Sequence, residues 1–231
     1  MSDIIGLSGK LGSGKDFIAR EYFKSHGYHR FSLADHFKIS LIGRGDATYD
    51  EVFKTKPPHI RDLLQKEGTE RGRMVFGEDV WVFTMQAWME LLEDTWGINK
   101  FIVPDCRFKN EVLAIQKGGG RVIRIIAPLR EEAAHPSEEA RNHISETDLD
   151  DFPLESYDGL LFNDPVYKDT INAQVNHFLG LPPNFTLETD EHNEDLPFRK
   201  VEDLVTDSVT NITNRLGVML KHLKAPLKKL I

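Results

Sequence analysis

The sequence predicts an α/β fold of three layers, in which helices cover both faces of a mainly parallel, five-stranded sheet. Three observations lead to this prediction. Short apolar runs that suit buried strands alternate with helical segments over the first 180 residues. The helical segments lie between successive runs, where parallel strands require crossover connections. The chain has 231 residues, 40% of them hydrophobic, which suffices for one such domain and an appendage.

The predicted elements follow one another in a βαβ order. Strands are predicted over 3–8, 29–34, 99–105, 120–128 and 158–163. Helices are predicted over 15–26, from Asp35 onward, over most of 58–96 with a break near 76–79, between the third and fourth strands, and over 165–179. Pro57 and Pro58 favour the start of a helix, and the glycines at 118–120 favour the end of one.

The first strand runs into a glycine-rich loop with the pattern G-x-x-x-x-G-K. In this pattern backbone N–H groups surround phosphates while the lysine reaches the β and γ oxygens. Lys10 either reaches a phosphate as well or is an exposed, solubilising lysine. The residues expected to bind the nucleotide are Gly9, Lys10, Leu11, Gly12, Ser13, Gly14, Lys15 and Asp16.

Asp16 stands where this motif normally has a serine or threonine whose hydroxyl group contacts Mg²⁺. A carboxylate in the first turn of a helix interacts favourably with the helix dipole, so Asp16 is a candidate for a capping role. Hard cations prefer oxygen ligands, so Asp16 is equally a candidate to hold magnesium, directly or through water. The sequence leaves both roles open.

Asp105 and Arg107 follow an apolar run that predicts a central strand, at the end where ligands bind in open α/β sheets. Arg107 suits bidentate binding of a phosphate, and Asp105 suits a base edge, a sugar edge or a metal-bound water. The alternative is a helix-capping Asp105 beside an ion-paired Arg107. Cys106 between them is expected to be a small buried spacer. Asp35 and Lys38 follow the second strand at the same edge.

Segment 129–149 is polar and lacks the periodicity of a core element. It is expected to form either a mobile lid that closes over the phosphates or a charged surface hairpin. In the first case Arg130 or Arg141 would move onto the phosphates. Together with Lys15 and Arg107, these two arginines are the candidate catalytic residues.

The character of the chain changes from Leu181. Segment 181–200 is acidic and contains prolines, which is typical of a linker. Apolar residues then recur every three or four positions and predict one amphipathic helix over 201–231. We expect this apolar stripe to be covered by homo-oligomerisation or by docking within one chain, and the third alternative is a solvated, unstructured tail. It consists of Val205, Val209, Ile212, Leu216, Met219 and Leu223.

Composition limits the remaining function classes. The net charge of −8 argues against a nucleic-acid partner, because binding to a phosphate backbone relies on clustered lysine and arginine. Nowhere do 18 apolar residues occur together, so we expect no membrane partner. The single cysteine fits a reducing compartment, and we expect a cytoplasmic location. The histidines show no zinc-binding spacing.

Five stretches of the sequence occur in an order that resembles a known family. They are GKLGSGKD at 9–16, FSLADHFK at 31–38, RDLLQKEGTERGR with FGEDVWV at 61–82, FIVPDCRFKNE at 101–111 and NHISETDL at 142–149. Together they resemble the deoxynucleoside monophosphate kinases of the bacteriophage type, a branch of the P-loop nucleoside-monophosphate kinases, over about residues 3–180. Asp in place of Ser or Thr after the P-loop lysine is itself found in that family.

The resemblance implies transfer of the ATP γ-phosphoryl group to a deoxynucleoside 5′-monophosphate (dNMP), with Mg²⁺ as cofactor. It places the reaction in the host cytoplasm if a phage encodes the chain. The expected organisation is a kinase domain over 1–180, with a helical acceptor-binding insert over about 46–97 and a lid over about 129–149. The residues expected at the acceptor, from the resemblance or from their position, are Asp35, Lys38, Arg61, Thr69, Trp81, Asp105, Arg107 and Glu111.

Two of these residues have an alternative role. Trp81 either stacks on a base or packs in the core, and Arg61 either contacts the acceptor or lies on a solvated helix face.

The attacking phosphate oxygen of a dNMP is already ionised, so the reaction needs positioning and cations and no general base. The competing functions are another small-molecule P-loop kinase, such as one resembling dephospho-coenzyme A kinase, and a nucleotide-binding module without turnover.

Overall fold

The computed structural model describes residues 2–134, 138–183 and 185 and contains the predicted sheet. Its strands lie in the order β2-β3-β1-β4-β5, and each neighbouring pair is parallel. The predicted α/β fold class is therefore confirmed. The strands are β1 (Asp3–Ser8), β2 (His29–Arg30), β3 (Lys100–Cys106), β4 (Arg121–Ile126) and β5 (Gly159–Phe162).

Helices connect all five strands. In chain order they are α1 (Lys15–Ile18), α2 (Asp35–Arg44), α3 (Pro58–Lys66), α4 (Met74–Phe76), α5 (Val80–Trp96), α6 (Lys109–Lys117), α7 (Pro128–Ala133), α8 (Glu138–Asn142), α9 (Ile144–Thr147) and α10 (Ile171–Phe178). Three π-helical stretches, Ala19–Phe23, Glu51–Thr55 and Glu67–Arg73, lie among them. Short 3₁₀ turns occur at Lys24–His26, Leu154–Ser156 and Pro165–Thr170.

The two faces of the sheet bury separate hydrophobic cores. Successive residues of a strand point to opposite faces, so Ile102 of β3 joins one core and its neighbours Phe101 and Val103 join the other. The first core packs against the helix that begins with α1 and against α10. The second packs against α5 and α6. The sheet is thus covered on both faces, as the continuously apolar strands predict.

The strand order places a crevice between β1 and β3. The connection that leaves β1 runs through α1 to β2 on one side of the sheet, whereas the connection that leaves β3 runs through α6 to β4 on the other side. Such a reversal is where ligands bind in open α/β sheets, outside the carboxyl ends of the strands. The glycine-rich loop follows β1 at this point, and Asp105 and Arg107 stand at the end of β3.

Two predicted elements differ from the observed ones. The strand predicted over 29–34 pairs only through His29–Arg30, because the backbone N–H groups of Leu33 and Ala34 turn away to Asp105. The helix predicted over 165–179 begins as the 3₁₀ stretch Pro165–Thr170. The break predicted near 76–79 is observed at Gly77, whose φ of 100° ends α4.

The predicted linker over 181–200 lies outside the described residues except at 181–183 and 185, and the predicted helix over 201–231 lies entirely outside them. All described residues belong to Met1–Leu187, the first of the two units into which the chain divides. None of the helices described in this unit is long and apolar enough to cross a membrane.

Candidate functional site

The loop between β1 and α1 approaches its neighbours too closely for side chains. Gly12 and Gly14 have φ values of 89° and 87°, a region that favours glycine. A Cβ atom on Gly12 would lie 2.7 Å from that of Ala134, and one on Gly9 would lie 2.7 Å from Ser13 Oγ. The loop backbone is therefore shaped as the phosphate-binding motif requires, with its tip against the end of α7.

The Lys15 side chain turns back against the backbone of this loop. Its Nζ donates hydrogen bonds to the backbone oxygens of Gly9 and Lys10, at 2.7 and 2.8 Å. Its side chain is buried, and burial together with the nearby charge of Arg107 lowers the pKa of Lys15 to about 8, against the opposing effect of Glu146. A buried ammonium group beside a guanidinium group is costly without an anion, so this position suits a phosphate.

Arg107 and the loop meet on one carboxylate, that of Glu146 in α9. Arg107 Nη1 donates to Glu146 Oε1, and the backbone N–H of Leu11 donates to Glu146 Oε2 at 2.9 Å. Lys10 Nζ donates to the backbone oxygen of Glu146 at 2.5 Å and to a carboxylate oxygen of Asp150. The end of segment 129–149 thus lies directly on the glycine-rich loop between β1 and α1.

Asp105 holds the loop between β2 and α2. Its Oδ1 accepts the N–H of Leu33 at 2.9 Å, and its Oδ2 accepts the N–H of Ala34 at 3.0 Å and the hydroxyl group of Ser32. Both carboxylate oxygens are engaged, which disfavours the predicted metal role of Asp105. Its contacts instead fix the start of α2, where Asp35 follows directly.

Asp16 pairs with Arg30, a residue that the sequence reasoning did not single out. Arg30 Nε and Nη2 both donate to Asp16 Oδ1, at 3.0 and 2.8 Å, and Arg30 Nη1 donates to Asp35 Oδ2 at 3.0 Å. Burial raises the pKa of Asp16, but the charge and hydrogen bonds of Arg30 outweigh it and hold that pKa below its ordinary value. One guanidinium group therefore joins the phosphate-loop helix to α2.

The predicted acceptor residues Asp35 and Lys38 lie beside this bridge. Lys38 Nζ donates to Asp35 Oδ1 at 2.9 Å, and the Lys38 side chain is buried with its Nζ over the Phe53 ring. The structure thus brings Asp16, Arg30, Asp35 and Lys38 together at the carboxyl edge of the sheet.

Magnesium fits this site through Asp16. Among the described residues, no three His, Cys, Asp or Glu side chains come together in a way that could hold a metal ion. Protein-bound Mg²⁺ in phosphoryl-transfer sites, however, needs only one or two carboxylates in addition to phosphate oxygens and water. The two bonds from Arg30 use Asp16 Oδ1 alone, and the Asp16 side chain is 48% exposed. Asp16 could therefore hold the ion, directly or through water.

Glu111 fixes the backbone at Arg107 through hydrogen bonds. Its Oε2 accepts the backbone N–H groups of Arg107 and Phe108, at 2.7 and 3.1 Å, and its Oε1 accepts a hydrogen bond from Arg73. Glu111 and Arg73 are both buried, and the Arg73 guanidinium carbon lies 3.8 Å from the centre of the Phe108 ring. Burial raises the pKa of Glu111, and the charge of Arg73 opposes that rise. These contacts give Glu111 a role in positioning Arg107, and its predicted contact with an acceptor stays a prediction.

Trp81 packs inside the helical insert. Its Nε1 donates to the backbone oxygen of Gly68 at 2.7 Å, and its ring lies 5.0 Å from that of Phe37. A Cβ atom on Gly72 would lie 2.8 Å from Trp81 Cε2. These contacts favour the core-packing role of Trp81, which holds the π-helical stretch Glu67–Arg73, with Thr69, against α5.

Arg61, Arg130 and Arg141 make their described contacts away from Lys15 and Arg107, although the backbone of Arg130 lies beside the loop, with its oxygen 3.2 Å from where a Cβ atom on Gly12 would stand. Arg61 is exposed on α3 and donates to the backbone oxygen of Lys56 at 2.8 Å, which favours its solvated alternative. Arg130 donates through Nε to the backbone oxygen of Asn163 after β5, and Arg141 is exposed on α8. Segment 129–149 forms the short helices α7, α8 and α9 around the undescribed residues 135–137. A movement of either arginine onto phosphates stays a prediction.

Comparisons with known proteins find solved structures that resemble this chain weakly. No protein-family model and no curated protein matches the chain. Shikimate kinase from Bacteroides thetaiotaomicron is 14% identical, with a TM-score of 0.43 over 78% of this chain and 100% of that one. Dephospho-CoA kinase from Campylobacter jejuni is 17% identical, with a TM-score of 0.42 over 78% and 96%. A sugar kinase from a Janibacter species is 15% identical, with a TM-score of 0.38 over 79% and 97%.

Proposed function

We propose that this protein is a kinase that transfers the γ-phosphoryl group of ATP to a deoxynucleoside 5′-monophosphate. The observation that carries the proposal is the meeting of two phosphate-binding elements at the crevice between β1 and β3. The loop after β1 brings its backbone N–H groups and Lys15, and the end of β3 brings Arg107. These cations lie close enough for Arg107 to lower the pKa of Lys15.

Two neighbouring cationic groups suit a reaction in which one phosphate attacks another. Lys15 and the loop N–H groups would hold the donor phosphates, and Arg107 would hold the acceptor phosphate with its planar, two-pronged donor set. The attacking oxygen is already ionised, so these residues need to align the two groups and neutralise the charge that grows between them. Asp35 and Lys38, joined to the loop helix through Arg30, would line the acceptor side.

Magnesium bound at Asp16 would neutralise phosphate charge and help to align the donor. We expect Asp16→Asn to raise the Mg²⁺ concentration needed for half-maximal rate several-fold, because the amide oxygen is a weaker ligand than a carboxylate. The measurement is the rate against Mg²⁺ concentration at saturating ATP. Asp46→Asn, which changes an exposed carboxylate that pairs with Arg44, is the matched control. A lowered melting temperature with an unchanged Mg²⁺ dependence would assign Asp16 to its pairing with Arg30 alone.

The proposal is tested by an ATP-consumption assay with a panel of acceptors. We expect turnover with one or more dNMPs, and the ribonucleoside monophosphates in the panel measure the selectivity for deoxyribose. Turnover with dephospho-coenzyme A alone would replace the proposal by the competing kinase, whose hydroxyl nucleophile requires a base. ATP binding without turnover of any acceptor would indicate a nucleotide-binding module. Lys15→Ala serves as the blank for contaminating kinases.

A further inference from the structure

Glu146 is an acidic residue in a pocket of cations and donors. Its side chain is only 7% exposed, although a carboxylate is costly to bury without compensation. Its two oxygens take one hydrogen bond from the phosphate loop, at Leu11 N–H, and one from Arg107. The charges of Glu146 and Lys15 also interact, since Glu146 raises the pKa of that lysine.

The groups that surround this carboxylate are those that a phosphate would use. They are the backbone N–H of Leu11, the ammonium group of Lys15 and the guanidinium group of Arg107 at the end of β3. Anions at such loops are held by backbone N–H groups and by cationic side chains, whichever chemical group carries the negative charge. Glu146 is thus bound as an oxyanion of a ligand would be, yet it belongs to the chain.

We propose that the Glu146 carboxylate occupies a phosphate-oxygen position between donor and acceptor, and that it competes with the phosphates of the substrates for this position. The inference rests on the proposed function, which assigns the same loop and Arg107 to those phosphates. When a polyphosphate binds, Glu146 leaves, and Leu11 N–H and Arg107 exchange the carboxylate for phosphate oxygens.

The segment that carries Glu146 is anchored at its C-terminal end, where Asp148 Oδ2 accepts the N–H of Lys109 at 2.8 Å and Leu149 is buried in the second core, so the displacement concerns α9 itself. Helix α9 is a single turn of four residues, Ile144–Thr147, capped by His143 Nδ1, which accepts the Ser145 N–H at 3.2 Å. Apart from Arg107, the contacts of Glu146 and Asp150 described above run to Lys10 and Leu11 of the loop itself. A phosphate can satisfy those same loop groups, so binding offsets the loss of the contacts that hold α9 down.

The direct test measures binding, with inorganic tripolyphosphate as the probe. Glu146→Gln keeps the shape of the side chain and removes its charge, and we expect it to bind tripolyphosphate about tenfold more tightly than the wild type in calorimetry at fixed salt. Glu132→Gln on α7 removes the same charge from an exposed position and should change the affinity by less than about twofold. Equal or weaker binding by Glu146→Gln would overturn the inference and make Glu146 a residue that positions Arg107.

A second measurement uses the wild-type protein and holds even if the variant fails to fold. Hydrogen exchange of the backbone amides in 144–147 should become faster when tripolyphosphate binds, because α9 is released from the loop. Unchanged or slower exchange in a protein that binds the probe would contradict the displacement. Both measurements avoid turnover, so the inference can fail while the acceptor panel still shows kinase activity. A wild-type protein that binds no tripolyphosphate would overturn the phosphate site and the inference together.

Discussion

Lys15→Ala is expected to lower kcat at least about a hundredfold and to leave the protein folded. The reason for the first effect is that Lys15 is the buried cation of the phosphate loop, and a preorganised donor aimed at growing charge is worth about two to three orders of magnitude. The reason for the second is that the substitution removes a desolvated charge whose lowered pKa shows that the fold disfavours it. The acceptor assay gives kcat, and thermal unfolding tests the fold.

Lys117→Ala, at the exposed end of α6, is the matched control and should keep the wild-type kcat. A Lys15→Ala protein that retains more than about a tenth of wild-type kcat, which corresponds to a loss of less than about 1.4 kcal/mol, would remove Lys15 from the transition state. If Lys15→Ala loses both its activity and its folded state, its kinetics say nothing about the role of Lys15. Lys15→Arg keeps the positive charge in a side chain of different shape, so ATP binding to the folded Lys15→Arg protein then shows whether the charge alone suffices.

Breaking the pair between Glu111 and Arg73 is expected to have the largest effect on stability. Glu111→Leu leaves the Arg73 guanidinium group buried without its carboxylate, and it leaves the N–H groups of Arg107 and Phe108 without their acceptor. Removing one partner of a buried ion pair typically costs about 3–5 kcal/mol of the free energy of unfolding. Urea denaturation measures that loss, provided that the slope of the transition is unchanged.

Two comparisons sharpen this result. Asp151→Asn breaks the exposed pair with Lys109 and should change stability little, because solvent screens such pairs. The double variant Arg73→Met with Glu111→Leu removes both buried charges, and it should recover the part of the loss that comes from the unpaired Arg73, while the N–H groups of Arg107 and Phe108 stay without their acceptor. A single variant that loses less than about 1 kcal/mol would show that the pair contributes little. A single variant with unchanged stability and altered kinetics would support the predicted acceptor contact of Glu111.

Elements whose signal is local were predicted well. The loop at Gly9–Asp16 and the five strands depend on apolar runs, glycines and short spacings, all of which are visible in a few adjacent residues. The predicted buried position of Cys106 is likewise observed. The second strand was predicted too long, because Ser32, Leu33 and Ala34 are apolar or small enough for a strand but are held by Asp105, 71–73 residues away in the chain.

Residues whose role depends on a distant partner were missed. Arg30 lies inside a predicted strand, and nothing near it in the sequence indicates that it joins Asp16 to Asp35. Glu146 lies in a stretch that was singled out, yet the loop N–H that it accepts is 135 positions away. Arg73 likewise meets Glu111 across 38 positions. A charged residue in a polar segment is most often solvated, so only the folded structure identifies these carboxylates and guanidinium groups as wholly or partly buried.

The depressed pKa of Lys15 makes the binding of a polyphosphate a proton-coupled event. Above a pH of about 8, a growing share of the free protein carries Lys15 without its proton, whereas a bound anion favours the ammonium form and raises that pKa. Nucleotide binding should therefore take up as much as one proton in this range and weaken about tenfold for each further pH unit. Below pH 7 the uptake vanishes, because Lys15 is already protonated. The heat of binding above pH 8, where the phosphates of the ligand are fully ionised, should accordingly depend on the ionisation enthalpy of the buffer, and Lys15→Arg should lose this dependence.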